Sequence, residues 1–182
     1  MLIRSLGPLL AAPILLSGCL DATGPQDFDE TPIEQVEFAS SLGIDLDDFF
    51  PDESGVWLRD DEVGIGDPIV RGQSVGIYYR GWLSTGEQYD AIDESDGPPP
   101  EFVLGTGGPI AGMTIALVGM RLGGERTALV PPSLGFGWAS LPGIPPAGSW
   151  LVLDIRLVSV DGQTVPPSDG NGNNGAGSGS GS

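Results

Sequence analysis

The sequence predicts an α+β fold in which an antiparallel sheet of five to six strands wraps around one short helix. Between Gly55 and Gly162 the chain contains several short segments in which apolar residues alternate, the period-2 pattern of half-buried strands. One stretch, Pro109 to Met120, instead has apolar residues three and four positions apart, as a helix packed on a core does. With 30 Gly and 17 Pro among 182 residues, the elements are expected to be short and joined by turns.

The strands are located by their alternating segments. The clearest is Trp150 to Val160, where Leu151, Leu153, Ile155 and Leu157 share one face. The other four predicted strands are Val56–Arg59, Ser74–Leu83, Glu101–Leu104 and Arg126–Val130. Strands of this kind with one amphipathic helix between them predict a sheet packed on that helix.

The composition changes along the chain and divides it into four regions. Residues 1–18 are an apolar N-terminal stretch, and residues 19–54 are an acidic segment expected to act as a tether. The folded domain is predicted over residues 55–162. It is followed by a tail over residues 163–182, rich in Gly, Ser and Asn, that is expected to be disordered. Within the acidic segment, Thr31 to Leu42 has the start signals of a short helix.

The N-terminal stretch resembles a secretory signal peptide, because Arg4 precedes an apolar run too short to span a bilayer. Residues 16–19, Leu-Ser-Gly-Cys, resemble the bacterial lipobox, in which the cysteine is lipidated. Cys19 is the single cysteine of the chain, so lipidation is expected there; the alternative is ordinary cleavage nearby, which leaves a free thiol. We expect an exported protein anchored to the cell envelope. Because Leu20 follows Cys19, rather than the Asp of an inner-membrane retention signal, the periplasmic side of an outer membrane is favoured where the cell has one.

Charge and residue types exclude several classes of function. All seven basic residues are arginines, against 25 Asp and Glu, and the formal net charge of −18 disfavours nucleic acid as a partner. With no His and one Cys, the chain cannot build a Ser-His-Asp or Cys-His arrangement, a His-ligated metal site or an internal disulfide. We expect no metal, and we expect a monomer.

A series of motifs, in the right order and spacing, resembles the FKBP-type peptidyl-prolyl cis-trans isomerase family. They include an aromatic-Asp step, a Phe-x-Leu-Gly turn, a Gly-Gly-x-Arg stretch that runs into Pro-Pro and Phe-Gly, and an Ile-Pro-Pro element. The matching segments are Val75–Asp90, Phe102–Gly105, Ile110–Met120, Gly123–Gly137, Ile144–Pro146 and Leu151–Leu157. The resemblance covers essentially all of Gly55 to Val160 and implies an FKBP-like half barrel.

The resemblance also implies a reaction and a site. The family rotates the peptide bond that precedes proline in polypeptide substrates, which breaks no covalent bond and uses no cofactor. It implies that Asp90 and Tyr79 act as the catalytic polar pair beside the rotating amide. The residues implied to line the apolar substrate pocket are Tyr89, Ile110, Met113, Phe136, Ile144 and Leu153.

The same residues have simpler interpretations. Tyr79 and Tyr89 could be core residues of their strands, and Asp90 could cap the turn that follows it. Only the family register distinguishes Asp90 from the other acidic residues.

The chain also departs from the family at its pocket. Met113 stands where a Trp platform is usual, Pro100 or Pro99 where a wall aromatic is usual, and Phe136 where a tyrosine hydroxyl is typical. The stretch Trp138 to Gly143 is shorter than usual. These departures leave two candidate functions: an isomerase that assists the folding of exported proteins, and a catalytically weak, chaperone-like lipoprotein that binds prolyl peptides.

Overall fold

The computed structural model describes residues 30–106, 110–138, 142–143 and 145–165. In this part of the chain, eight strands form one antiparallel sheet, and one helix, α1 (Ala111–Leu117), packs against it. The strands are β1 (Phe50–Pro51), β2 (Trp57–Glu62), β3 (Ser74–Leu83), β4 (Gln88–Ile92), β5 (Glu101–Val103), β6 (Glu125–Val130), β7 (Leu151–Val160) and β8 (Gln163–Thr164). The predicted α+β fold is confirmed.

The strands follow the order β1-β2-β6-β7-β3-β4 across the sheet, with β8 added beside the end of β7. The long strands β3 and β7 pair along almost their whole length, from Val75 opposite Val160 to Leu83 opposite Leu151. β4 and β5 pair with two successive parts of β3. The five predicted strands all occur, and β1, β4 and β8 were not predicted.

The main core lies between α1 and the inner face of the sheet. On β7, Leu151, Leu153, Ile155 and Leu157 are at most 2 % exposed, because alternate residues of a strand point to one face. The members from α1 are Met113, Ala116 and Leu117. The helix lies so close to β6 that a Cβ at Gly112 would come within 2.2 Å of Val130 Cγ1.

The helix is shorter than the predicted span of Pro109 to Met120. Val118 leaves the helical region with ψ of 131°, and Gly119 follows with φ of +83°, a conformation that glycine adopts easily. The apolar spacing continues past Leu117 only because Met120 returns to the core from the following turn. No helix in the described residues is long and apolar enough to cross a membrane.

Arg126 of β6 satisfies the end of this helix. Its guanidinium Nη1 donates to the carbonyls of Ala116 and Val118 at 2.7 and 3.1 Å, and its Nε lies 2.6 Å from Asp60 Oδ1. The residue is only 8 % exposed. Carbonyls at a helix C-terminus lack partners within the helix, so this buried cation supplies both hydrogen bonds and a favourable charge.

Residues 30–49, which we name the N-terminal strap, lie against the outer face of the sheet. Ile33 and Phe49 are buried with Leu129, Trp150 and Val152 in a second apolar cluster. The segment was expected to form part of an acidic tether with a short helix over residues 31–42. It instead forms three 3₁₀ turns, at 33–35, 40–42 and 46–48. Its other acidic residues are exposed, while Glu30 is partly buried. Residues 19–29 lie outside the described residues.

The rest of the outer face carries a network of charges. Arg59 Nε lies 2.7 Å from Asp61 Oδ1, and the Thr127 hydroxyl lies between Asp61 Oδ2 and Asp154 Oδ1, at 2.6 and 3.1 Å. Removal from water raises the pKa of the Asp154 carboxyl, although its hydrogen bond with Thr127 opposes the rise, and the neighbouring Asp61 charge adds to it.

We expect Arg126→Leu to lower the free energy of unfolding by about 2 kcal/mol, because two helix carbonyls lose their donor and Asp60 loses its partner. Urea denaturation measures the change. In the matched control Arg80→Leu, the lost guanidinium is exposed and lies 3.6 Å from Asp93, so the change should stay below about 0.5 kcal/mol. Equal losses in the two variants would contradict the role given to Arg126.

We expect Asp154→Asn to be more stable than the unchanged protein at pH 7. A folded-state pKa above the unfolded value, roughly 3.9, means that ionisation of Asp154 costs stability as the pH rises through the raised pKa. The asparagine still accepts the Thr127 hydrogen bond but does not ionise. The difference in free energy of unfolding should therefore shrink as the pH falls toward 4.

The exposed Glu87 provides the control for this titration. Glu87→Gln should follow the unchanged protein at both pH values in urea denaturation. A lower stability of Asp154→Asn at pH 7 would show that the network gains more from the Asp154 charge than desolvation costs.

Candidate functional site

The candidate site lies on the inner face of the sheet, where β3 pairs with β4. The antiparallel register sets Asp90 opposite Gly81, two residues along β3 from Tyr79. The Tyr79 hydroxyl donates a 2.5 Å hydrogen bond to Asp90 Oδ2, and the Ala91 N–H donates to Asp90 Oδ1 at 2.9 Å. Both oxygens of this carboxylate are therefore held in place, while the residue itself is exposed.

The environment keeps both tyrosines of the site protonated at neutral pH. Burial raises the pKa of Tyr79, and the hydrogen bond to Asp90 and the charges of Asp90 and Tyr89 raise it further. Burial and the charge of Asp90 likewise raise the pKa of Tyr89. Tyr79 therefore remains a hydrogen-bond donor to the carboxylate at any physiological pH.

Aromatic rings form the side of the site next to Asp90. The rings of Tyr89 and Phe136 meet edge to face, with centroids 5.6 Å apart and planes at 89°. The Tyr89 ring occupies the space that a side chain at Gly81 would need, because a Cβ there would lie 2.6 Å from Tyr89 Cζ. Glycine at position 81 thus permits the ring to lie flat against β3.

The remaining predicted pocket residues lie at two depths. Tyr89, Ile110 and Phe136 are half-buried and pack on the main core, so their outer surfaces face solvent. Met113 and Leu153 are 2 % and 0 % exposed and belong to the core itself. Five of the six predicted pocket residues therefore lie in or on the main core, and Tyr89 and Phe136 are in direct contact.

Two predicted residues cannot be placed. Ile144 of the predicted pocket and Cys19 of the predicted lipidation site lie outside the described residues. Pro100, at the position of the usual wall aromatic, is exposed immediately before β5. The described residues contain no group of three or more His, Cys, Asp or Glu side chains that could hold a metal ion.

A groove of about 680 Å³ lies on the charged outer face. Its lining includes Arg59, Arg80, Asp154 and Arg156, and it also includes Tyr79 but not Tyr89, Ile110 or Phe136. A groove lined by paired charges does not suit a prolyl side chain, whereas an aromatic surface does. We therefore assign the candidate site by its chemistry rather than by cavity size.

Sequence reasoning missed two features that build this site. The first is β4, which positions Tyr89 and Asp90, because its five residues show little alternation. The second is the space above Gly81, for which a glycine within a strand was the available signal.

Comparison with known proteins identifies the family of the chain. The sequence model of the FKBP-type peptidyl-prolyl cis-trans isomerase family matches residues 66–158. The chain is similar to FK506-binding protein 3 of Candida albicans, with 38 % identity over 142 residues that cover 76 % of this chain and 31 % of that protein. The chain therefore spans about a third of that fungal relative.

Two solved structures are also similar. FkpA from Escherichia coli has 30 % sequence identity and a TM-score of 0.56, with 66 % of this chain and 55 % of that chain covered. AtFKBP13 has 34 % identity and a TM-score of 0.52, with 60 % of this chain and 95 % of that chain covered. From the matched family model, the fold and the sequence identity, the chain belongs to the FKBP-type peptidyl-prolyl cis-trans isomerase family.

Proposed function

We propose that this protein catalyses cis-trans isomerisation of peptide bonds that precede proline, at the surface formed by Tyr89, Ile110 and Phe136 beside Asp90. The observation that carries the proposal is the Tyr79–Asp90 hydrogen bond of 2.5 Å at the edge of this apolar surface. This hydrogen bond fixes one carboxylate next to an apolar surface on which a prolyl ring can be desolvated. Proline-containing polypeptides are the proposed substrates.

The chemistry of the reaction fits such a site. The X-Pro bond resists rotation because resonance keeps it planar, with a barrier of about 18–20 kcal/mol for a peptide bond. In the twisted state that resonance is lost. The nitrogen and the carbonyl then no longer share electrons, and each behaves as a separate polar group. An apolar surface disfavours the more polar planar amide, and fixed dipoles can stabilise the twisted one.

Each residue has a distinct proposed role. Tyr89 and Phe136 hold the prolyl ring and exclude water, while buried Met113 and Leu153 keep that surface from collapsing inward. Asp90 lies beside the amide, and the Tyr79 hydroxyl fixes its orientation. The main-chain N–H of Ile110, which makes no hydrogen bond within the described residues, is suited to hold a substrate carbonyl.

A second candidate function has specific support. Met113 is 2 % exposed and offers no flat aromatic platform to the substrate, and Phe136 has no hydroxyl to donate. A site with fewer gripping groups can bind a prolyl segment without accelerating its rotation. The second candidate is therefore a prolyl-peptide-binding, chaperone-like protein.

We further propose that the protein is exported and carries its lipid anchor on Cys19. The lipobox-like residues 16–19 and the position of the single cysteine support this proposal. Several acyl chains on one residue would give stable membrane attachment, which one chain does not. The domain would then act at the cell envelope on newly exported polypeptides, as a monomer, with the outer membrane favoured as its location.

Asp90→Leu tests the catalytic proposal. With the full chain in detergent and a protease-coupled assay on proline tetrapeptides, we expect kcat/KM to fall at least about tenfold, a loss near 1.4 kcal/mol of transition-state stabilisation. The side chain of Asp90 interacts with the Tyr79 hydroxyl and the adjacent main chain, so the apolar surface should persist.

Glu87→Leu is the matched control, since it removes an exposed carboxylate three residues away, at the turn before β4. It should leave kcat/KM unchanged. If the unchanged protein binds prolyl peptides but accelerates none of them, whatever residue precedes proline, the binding function replaces the catalytic one.

Cys19→Ser tests the anchor. We expect the unchanged protein to partition into the detergent phase of a Triton X-114 extract of the expressing cells, and Cys19→Ser to move to the aqueous phase. Ser5→Ala, which lies outside residues 16–19, is the control and should stay in the detergent phase. Equal partitioning of the unchanged protein and Cys19→Ser would rule out lipidation at Cys19.

A further inference from the structure

The strap contacts both ends of the segment that carries Phe136. This segment, residues 132–150, runs from the 3₁₀ turn Pro132–Leu134 to the start of β7. At its beginning, the Ser133 N–H donates to the Glu30 carboxylate at 2.6 Å. At its end, the Trp150 indole N–H donates to the Thr31 carbonyl at 3.0 Å. Two consecutive residues of the strap therefore hold the two ends of one loop.

Each contact supplies a hydrogen-bond acceptor to a donor of the 132–150 segment. The Ser133 amide is at an exposed position, and its donor would otherwise bond only to water. The Trp150 side chain is 7 % exposed, and a buried indole N–H requires a partner. A hydrogen bond to a charged acceptor, such as that from Ser133 to Glu30, is stronger than one between neutral groups.

The contact at Ser133 lies close to the candidate site. Phe136 follows Ser133 by three residues and meets Tyr89 at 5.6 Å. Within the described residues, this ring contact joins the loop to β4. A shift of the turn at Ser133 would therefore move the Phe136 ring relative to Tyr89 and Asp90.

The strap also contacts the hairpin that carries Tyr89, the partner of Phe136 in that ring contact. The Ala39 N–H donates to the Ser84 carbonyl at 2.8 Å, in the turn that joins β3 to β4. A Cβ at Gly86 of the same turn would lie 3.0 Å from Ala39 Cβ and Ser41 Oγ. The strap thus contacts the loop that carries Phe136 and the hairpin that carries Tyr89.

We infer that Glu30 and Thr31 are positioning residues, which fix Phe136 against Tyr89 from outside the isomerase domain. Glu30 acts through its carboxylate on the Ser133 N–H, Thr31 acts through its carbonyl on the Trp150 indole, and neither touches the substrate. The inference rests on the proposed function for its effect on catalysis, but the position of the ring can be measured without it. The strap, whose acidic composition is that of a tether, thus has a role in the site.

The first test compares Glu30→Ala, Glu30→Gln and Glu34→Ala in the full chain, with kcat/KM measured on tetrapeptides that differ in the residue before proline. We expect Glu30→Ala to lower kcat/KM about threefold or more, and to change the ratio among the peptides, because the turn that carries Phe136 loses one of its contacts. Glu30→Gln retains an acceptor oxygen for Ser133 and should restore most of the loss. Glu34 is exposed on the same strap, so Glu34→Ala should change nothing.

Thr31 acts through its carbonyl, so its contact is tested from the other partner. Trp150→Phe removes the indole donor and keeps an aromatic ring in the second cluster. Like Glu30→Ala, it should lower kcat/KM. The free energy of unfolding of the variant, measured in parallel, shows whether packing has also been lost.

A second readout keeps this inference separate from the proposed function. Proton NMR of the aromatic rings should detect the Tyr89–Phe136 contact as a cross-peak in the unchanged protein and in Glu30→Gln, and a weakened one in Glu30→Ala. If the unchanged protein shows no isomerase activity, the proposed function fails while the cross-peaks still decide the inference. An unaltered cross-peak in Glu30→Ala, or an equal loss of kcat/KM in Glu34→Ala, would overturn the inference.

Discussion

Strand β7 needs apolar cover on both of its faces, and the rest of the structure is arranged around that need. Its inner side chains are covered by α1 and by neighbouring residues of the main core. They are Leu151, Leu153, Ile155 and Leu157. Its outer side chain Val152 is covered by the strap. Because β7 also pairs with β3, β6 and β8, a displacement of either cover would disturb most of the sheet.

The candidate site follows from this arrangement. Tyr79 and Asp90 are held by the register of two paired strands, which leaves little freedom in their relative position. Phe136, in contrast, belongs to a loop, and a loop positions a side chain less firmly than a strand does. The polar half of the site is therefore built into the sheet, whereas its aromatic wall depends on contacts made elsewhere.

Much of this could be predicted from the sequence, and the exceptions have physical causes. The five predicted strands and the helix follow from the periodicity of buried residues, as on β7, where one face is required to be apolar. The pairing of Tyr79 with Asp90 could be predicted only from the resemblance to the family. Hydrophobic periodicity does not identify which acidic residue belongs to a site. β4 was missed since it is a short edge strand with half-buried residues.

The strap shows the limit of reasoning from composition. Its six acidic residues gave the segment the character of a linker, although eight apolar residues, among them Ile33 and Phe49, stand between them and determine where it lies. The partners of those residues, Leu129 and Trp150, are distant in sequence. The apolar residues of the strap therefore predict burial but not the surface that they cover.

The entry point of the strap also determines how the domain would respond to mechanical force. Within the described residues, a pull applied at Glu30 falls first on its hydrogen bond with Ser133. The apolar contacts of Ile33 and those that follow it would be loaded only after that bond opens. Tension would thus peel the strap one contact at a time, and the loop bearing Phe136 would be released before the sheet itself bears any load.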